Sequence, residues 1–556
     1  MQKPGSFIRD KFAKLFFVNL LAFSSYSMNL MIDAILGGNQ LGETALTAVS
    51  IVAPLFSVVY FFEYMFSPGY GVLYGKHLGA FETEEAYKTA GQSVLHAFMT
   101  AVFLVLSLLL IRKPYLAYYN CTGALQEEAT IYFNWVIVYA AIHPFNVALY
   151  YLTMADSDSS VVFFSTISEI LLNAFLSFFL CRRVGIAGLG IATAIAAAAS
   201  TLVYPLHLLR RTNSIRFRFH FSRKAFFSAL KLSISRSAGY LFIGLVDILV
   251  NKVILITCSE SLIPAYSVIN LAFSVFQTCG AVFDSAEGFL ASYLGERNNY
   301  GIRSVMRIVV KTAALTSLAL SALFFFCAPL FPRLYGMTSA ETVLSSVRAA
   351  RTMAFTALPF GFCFIGVDLY ATLEHPGMSM LLCFLNNLLC PLLLSVPLAF
   401  RFGFTGITLG MALSSYLVAV LFSVPVRSWL GKAGFPLYLP DYGEDAVGFD
   451  LTVNAESITK LRKAIANAAA QHGFDTEPID QITDALYGKI MEANPKKKVL
   501  SEYILLFGKD KLRVIIRDNG RIVNFLNEKD SVFSEIPQKS YALTNSFNRN
   551  GFVFSR

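Results

Sequence analysis

Charge is scarce in this chain. Asp, Glu, Lys and Arg make up 15% of its 556 residues and 55% are hydrophobic, whereas a soluble globular protein carries about 25% charged residues. One water-soluble core cannot hide that much apolar side chain, so a bilayer is the expected solvent for the rest. Tryptophan is scarcer still, 2 residues against 51 Phe, and the aromatic content reads as apolar surface and packing. The 8 cysteines show no CxxC spacing and none lies in the polar C-terminal stretch, which excludes a cysteine metal site and a disulfide framework. No cleavage site of small residues follows Lys3, Arg9, Lys11 and Lys14, so the first apolar run is expected to be an uncleaved helix. The formal net charge of +9 reads as loop charge beside a membrane rather than as a nucleic-acid footprint.

What the chain does have is a series of apolar runs long enough to cross a bilayer. They fall at 14–36, 45–66, 91–112, 130–154, 161–181, 186–208, 229–257, 262–286, 305–330, 350–373, 378–400 and 404–426. Backbone groups in lipid need internal partners, so these segments are expected to be helices. An even number of passes puts both termini on one side. The longest loop, with Arg210, Arg211, Arg216, Arg218, Arg223 and Lys224, marks that side as cytoplasmic. The localisation expected is a multi-pass plasma-membrane protein with both termini in the cytoplasm.

The two halves repeat. Glu43, Ala48, Ser50 and Ser57 match Glu260, Ala265, Ser267 and Ser274 without a gap. Gly71 with Leu78-Gly79 matches Gly288 with Leu294-Gly295, Pro144-Phe145 matches Pro359-Phe360, and VGIAGLGIATAIA from Val184 matches FGFTGITLGMALS from Phe402. Six passes per half give the halves one orientation, related by an axis along the membrane normal. The expected fold class is an all-α polytopic membrane protein of twelve transmembrane helices in two six-helix lobes, 1–215 and 216–430, plus a small α+β domain. A Gly/Pro-rich linker, 431–448, joins them to that domain, 449–556. In it FDLTVNA, VLSEYILLFG, KLRVIIRDNG and GFVFSR read as strands, and ESITKLRKAIANAAAQHG and EPIDQITDALYGKIMEAN as amphipathic helices.

IDAILGGNQLGETALTAVSIVAPL, GYGVLYGKHLGA and VGIAGLGIATAIA together resemble the multidrug and toxic compound extrusion (MATE) family, over roughly residues 10–430. The resemblance implies a secondary active antiporter that expels organic cations and other amphipathic compounds, driven by inward sodium or proton flow through a cavity between the lobes. Two places depart from the family pattern. LKLSISRSAGYL puts Ser233 and Ser235 where the family often has Gly-Leu-Pro, with Arg236 following, and Ser177 stands where the family's helix 5 often has Asp.

Ionisable residues inside a bilayer are functional candidates by default. Asp33 matches the family's acidic residue in helix 1 and can hold sodium or a proton, the alternative being a boundary Asp near Gly37-Gly38. Asp247 can bind a cationic substrate or pair with Lys252, and Asn251 lies one turn later on its face. Glu169 and Asn173, four residues apart, share a face that looks into the N-terminal lobe or makes an interhelical hydrogen bond. Asp368 and Glu63 are further candidates. Asp284 and Glu287 are expected near the cytoplasmic end of their helix, in solvated positions.

The tail resembles the anti-sigma and histidine-kinase-like ATPase fold in RVIIRDNGRIVNF, whose Asp518 and Gly520 fit a nucleotide-binding box. Ile522 replaces its next glycine, and a magnesium-holding Asn and a glycine-rich lid are missing, so ATP binding is not expected and the tail reads as a regulatory or partner-binding module. No resident cofactor is expected. The partners expected are the bilayer, a small amphipathic or cationic substrate and a protein that meets the tail. The rival functions are a lipid-linked precursor flippase of the same superfamily, which would want a cationic cavity, and a membrane sensor that signals through the tail.

Overall fold

The computed structural model describes residues 6–429 and 445–555 except 42, 80–81, 119–121, 157, 211–212, 259–261, 335–336, 338, 374, 496, 525–532, 534–538 and 545–546. The side chains of Asp33 and Asn251, like those of several other helical residues, lie outside the described residues. The first half runs α1 (Ser6–Leu41), α2 (Glu43–Val52), α3 (Pro54–Tyr64), α4 (Ser67–Gly79), α5 (Thr83–Tyr118), α6 (Gly123–Ala155), α7 (Ser159–Val184), α8 (Ile186–Val203) and α9 (Pro205–Leu208). The second runs α10 (Arg223–Thr257), α11 (Ile263–Phe276), α12 (Gly280–Gly295), α13 (Asn299–Phe326), α14 (Leu330–Leu334), α15 (Ala340–Ala354), α16 (Ala357–Thr372), α17 (Pro376–Phe384) and α18 (Cys390–Trp429).

Twelve membrane passes result once helices are joined across short breaks. Among the described residues, eight stretches are long and apolar enough to cross a bilayer unaided, and α15 with α16, bent by 58° between them, adds a ninth. The tenth is α1, and the broken run α2 to α4 is the eleventh. The twelfth comes from dividing the stretch 376–425 at Gly403, whose φ of 58° and ψ of −139° interrupt α18. Gly185, between α7 and α8, has φ 64° and ψ −146°. The matched sequences VGIAG and FGFTG therefore make the same sharp turn in the two halves, in a backbone region open essentially to glycine alone. Several helices run past the apolar spans read from the sequence, α1 and α5 by a turn or more at each end, because their polar ends leave the membrane still helical.

The two halves meet at the end of the molecule that carries the tail. The Gly69 amide of α4 donates to Ser233 Oγ of α10 at 2.7 Å, and Asn19 Nδ2 of α1 donates to Ser285 Oγ of α12 at 3.0 Å. Each half has its own apolar core, one around Ala48, Phe56, Phe133 and Leu189, the other around Ile269, Phe276, Phe324 and Met411.

The tail is a five-stranded antiparallel sheet in the order β1-β2-β3-β5-β4, with α19 (Ala455–His472) and α20 (Glu477–Ala493) on one face. Its strands are β1 (Asp445–Thr452), β2 (Leu500–Phe507), β3 (Lys511–Asp518), β4 (Lys539–Thr544) and β5 (Phe547–Ser555). β1 begins at Asp445, inside the stretch read as linker, and β4 had no counterpart in the sequence reading. Alternation along the strands decides what each face meets. Tyr503, Leu505, Phe507, Leu512, Val514 and Ile516 pack under the two helices. Ile504, Leu506 and Ile515 point the other way and, with Phe547, form a single core with Phe7, Ile8 and Phe12 of α1, Phe289, Leu290 and Tyr293 of α12, and Ile302 and Val305 of α13. The tail is thus packed onto the membrane part and touches both halves of it.

Candidate functional site

Between the halves lies a cavity with about 1250 Å³ of empty space, part of it open to solvent. Two charged clusters and a belt of tyrosines line it. On the side of the first half, α3 presents Glu63, α6 His143 and α7 Glu169. His143 Nδ1 is 2.9 Å from Glu63 Oε2, and its Nε2 is 3.9 Å from Glu169 Oε1. Ser200 Oγ of α8 donates to Glu169 Oε2 at 3.1 Å, and Asn146 Nδ2 donates to Ser200 Oγ at 2.6 Å. Glu63 Oε1 is buried and has no hydrogen-bond partner among the described residues. The Tyr139 ring stacks on His143 at 4.6 Å, and its hydroxyl meets that of Tyr60 at 2.8 Å. A buried imidazole held between two carboxylates is an arrangement that can take up and release a proton.

Across the cavity, Arg236 of α10 reaches two carboxylates. Its Nε donates to Asp368 Oδ1 of α16 at 2.9 Å and its Nη2 to Asp284 Oδ1 of α12 at 3.2 Å. Its Nη1 donates to the Tyr151 hydroxyl of α6, in the other half, at 3.2 Å. Glu287 accepts from Thr372 Oγ1 at 3.1 Å. Asp284 and Glu287 therefore do not sit in solvated positions as expected from their place in the sequence. Their helix continues to Gly295 and the tail covers its end, which leaves both carboxyls inside the protein.

Of the residues singled out in the sequence, Glu169, Asp284 and Asp368 line the cavity, whereas Glu63 is fully buried and outside its lining. Asn173 points elsewhere. It is fully buried between α7 and α8, donates to Thr193 Oγ1 at 3.2 Å and accepts from Ser177 Oγ at 3.0 Å, which is the interhelical hydrogen bond of the two alternatives. Asp247 lies three turns along α10 from Arg236, outside the cavity lining, and accepts from the Tyr266 hydroxyl of α11 at 3.0 Å. Lys252 is exposed and makes no ion pair with Asp247 in the structure, so of the two alternatives the pairing with Lys252 is not formed and the carboxyl meets the tyrosine. Asp33 belongs to α1 and Asn251 to α10, and the side chains of both lie outside the described residues.

His143 was missed in the sequence, although a histidine beside Pro144 in mid-span was a signal of the same kind as the acids. Arg236 was noticed only as a departure from a pattern. Yet a buried cation in a membrane needs a counter-charge as much as an anion does.

In the tail, Asp518 ends β3. Its Oδ1 accepts from the Gly520 amide and from Asn548 Nδ2, both at 2.9 Å. Burial pushes its carboxyl above the ordinary value despite those two donors. Asn494 Oδ1 accepts the Arg521 amide at 2.9 Å, so Asn548 and Asn494 of the chain itself occupy the surroundings of the Asp518–Gly520 turn. Ile522 is exposed.

Residues 17–179 match the family model MatE. Solved structures agree over a longer stretch, at a level of identity that speaks for the fold. An outward-facing multidrug resistance MATE family transporter of the MOP superfamily superposes with a TM-score of 0.68 at 17% identity, over 76% of this chain and 96% of that one. The membrane part has the MATE fold. An inward-facing MATE transporter structure gives a TM-score of 0.60 at 18% identity, over 72% of this chain and 94% of that one. A MOP superfamily transporter from Pyrococcus furiosus, described as having a binding pocket of reverse polarity that suggests a different function, also has a TM-score of 0.68 at 17% identity, over 76% and 96% of the chains. No curated protein matches the sequence. The MATE superpositions stop short of the whole chain by about the size of the tail.

Proposed function

We propose that this chain is a secondary active exporter of amphipathic or cationic compounds, which works by alternating access and is driven by inward flow of protons or sodium. The observation that carries this reading is the cavity between the halves, where Glu169, Asp284 and Asp368 stand among tyrosine rings. Carboxylates beside aromatic faces attract organic cations, through charge and through the ring quadrupole. Carboxylates outnumber cations there, which speaks against the lipid-linked precursor flippase. A sensor that signals through its tail would need no such cavity.

Coupling follows from competition. A carboxylate cannot hold a proton or sodium ion and a cationic substrate at once, so uptake of the ion from outside releases the substrate there. Glu63, His143 and Glu169 are placed to carry a proton, and Asp33 is the residue that the family resemblance implies for sodium or a proton. The tail end faces the cytoplasm in this reading, so contact between the halves at that end leaves the cavity open outward. A cysteine replacing exposed His220, in the Arg-rich connector before α10, should then react with impermeant reagent only from the cytoplasmic side. The tail acts as a docked regulatory module with no requirement for ATP. The test of the function is transport by the purified full chain in vesicles, with pH and sodium gradients imposed separately and export of a fluorescent lipophilic cation as the readout.

A further inference from the structure

Arg236 occupies the carboxylates that a cationic substrate would use. Its side chain is 14% exposed, and those of Asp284 and Asp368 are 9% and 4% exposed. Three separate nitrogens are engaged, Nε by Asp368, Nη2 by Asp284 and Nη1 by the Tyr151 hydroxyl. The first two partners belong to the same half as Arg236 and the third to the opposite half, so one guanidinium ties the cavity charges to the contact between the halves. All four residues line the cavity. A guanidinium has a fixed planar fork and stays charged in proteins, so it cannot step aside by losing a proton. It can leave the carboxylates only by moving.

We propose that Arg236 is a tethered counter-cation, which competes with the substrate for Asp284 and Asp368 and thereby sets the substrate charge that the cavity accepts. The proposal rests on the cation-export reading given above. Asp284, Asp368 and Arg236 sum to one net negative charge, to which Glu287 beside them adds, so that removing Arg236 makes the site more negative by one charge. A monocation that binds displaces Arg236 from at least one carboxylate and, with it, weakens the hydrogen bond to Tyr151 across the halves. Occupancy of the site is thereby felt at the interface that must open. Affinity for the substrate is lowered by the fraction of time that the guanidinium holds the carboxylates. Removing the guanidinium should therefore tighten cation binding and move the preference toward higher charge.

The experiment measures binding of tetraphenylphosphonium, a monocation, and of dequalinium, a dication, to the purified full chain in lipid nanodiscs. Arg236→Gln should bind the monocation about ten-fold more tightly, and the dication should gain more than the monocation does. The double variant Arg236→Gln/Asp284→Asn restores the wild-type net charge of the site and should lose the gain for the dication, with a folded, monodisperse protein as control. Arg236→Lys keeps the charge and should stay near the wild-type ratio of the two affinities. The proposal is overturned if the wild type binds the monocation and Arg236→Gln binds both probes equally or less well. If the wild type binds neither cation but binds an anionic dye through Arg236, the cation-export reading itself falls.

Discussion

Arg517 and Glu296 stand 221 residues apart in the sequence and form a buried ion pair between strand β3 of the tail and the end of α12. Arg549 Nε of β5 donates to the same Glu296 oxygen at 2.6 Å. Arg517 Nη1 donates to Glu502 Oε2 at 2.9 Å, and the Tyr293 hydroxyl donates to that oxygen at 2.7 Å. Arg517 also lies over the Tyr293 ring at 4.5 Å. Burial works against the Glu296 charge, but the two guanidiniums hold its carboxyl below the ordinary value.

Removing one partner of a buried pair strands the other, which costs about 3–5 kcal/mol. Glu296→Gln leaves two arginines facing a neutral amide and should undock the tail from the membrane part. Hydrogen exchange of the full chain should show β2 and β3 losing protection on the face that carries Ile504 and Ile515, while α19 and α20 keep theirs. Unchanged protection in the sheet would mean that the apolar contacts alone hold the tail.

Docking should also depend on pH. Burial pushes the Glu502 carboxyl up from 4.5 to about 7, against the pull of Arg517. The docked state thus binds a proton more tightly than an undocked state in which Glu502 meets water. This contribution is complete below pH 4.5 and is lost as the pH rises to about 7. Docking should strengthen on going from pH 7 to pH 5, by no more than about ten-fold per pH unit. Glu502→Gln, which cannot titrate, should flatten that dependence. A steep dependence that persists in the variant would assign it to another group.

Strand β1 comes so close to α13 that a side-chain carbon on Gly448 would lie 2.1 Å from the Tyr300 ring. Gly448→Ala should therefore loosen the tail as Glu296→Gln does, by a steric route that is indifferent to pH. Tyr300→Ala in the same chain should restore docking by making room. If the double variant stays undocked, contact with Tyr300 is not what limits the approach.

Gly185 and Gly403 test the repeat. Alanine at either position is strained by the backbone, at a cost of about 1–3 kcal/mol, although Gly185 has open space around it. Both variants should lower the melting temperature of the chain in detergent, whereas Gly295→Ala, also in open space but at a helix end without positive φ, should leave it nearly unchanged. Equal melting of all three would separate the two glycines from any strain.

Much of the fold was legible because run length and repeats survive without knowledge of contacts. VGIAG and FGFTG matched as letters and prove to be the same turn. The strand pair around Gly508 was legible from its alternation and turn residues. β4 was not, since KSYALT is a short polar edge strand with little pattern. The run YILLF in β2 carried a signal that went unused. A strand that is apolar on both faces is buried on both faces, which foretold a cover opposite the two helices. The site was less legible. Glu169 and Asp368 stood out as charges in lipid, but their partners arrive from helices far away in sequence. His143 and Arg236 gain meaning only once α3, α6, α10, α12 and α16 converge. Asp247 and Asn173 look the same as the cavity residues in sequence, but Asp247 lies three turns beyond Arg236 along α10, where Tyr266 meets it, and Asn173 lies a turn beyond Glu169, where Thr193 does.

Export in vesicles tests the central claim most directly. An inward pH or sodium gradient should drive a lipophilic cation out against its own gradient, and collapse of that gradient should stop it. Asp33→Asn and Glu169→Gln, each made in the full chain, should fail to couple export to the gradient, with at least ten-fold slower gradient-driven export, since an amide cannot cycle a proton and holds sodium weakly. Cation flux that is equal with and without either gradient, or full coupled export by both variants, would contradict the account.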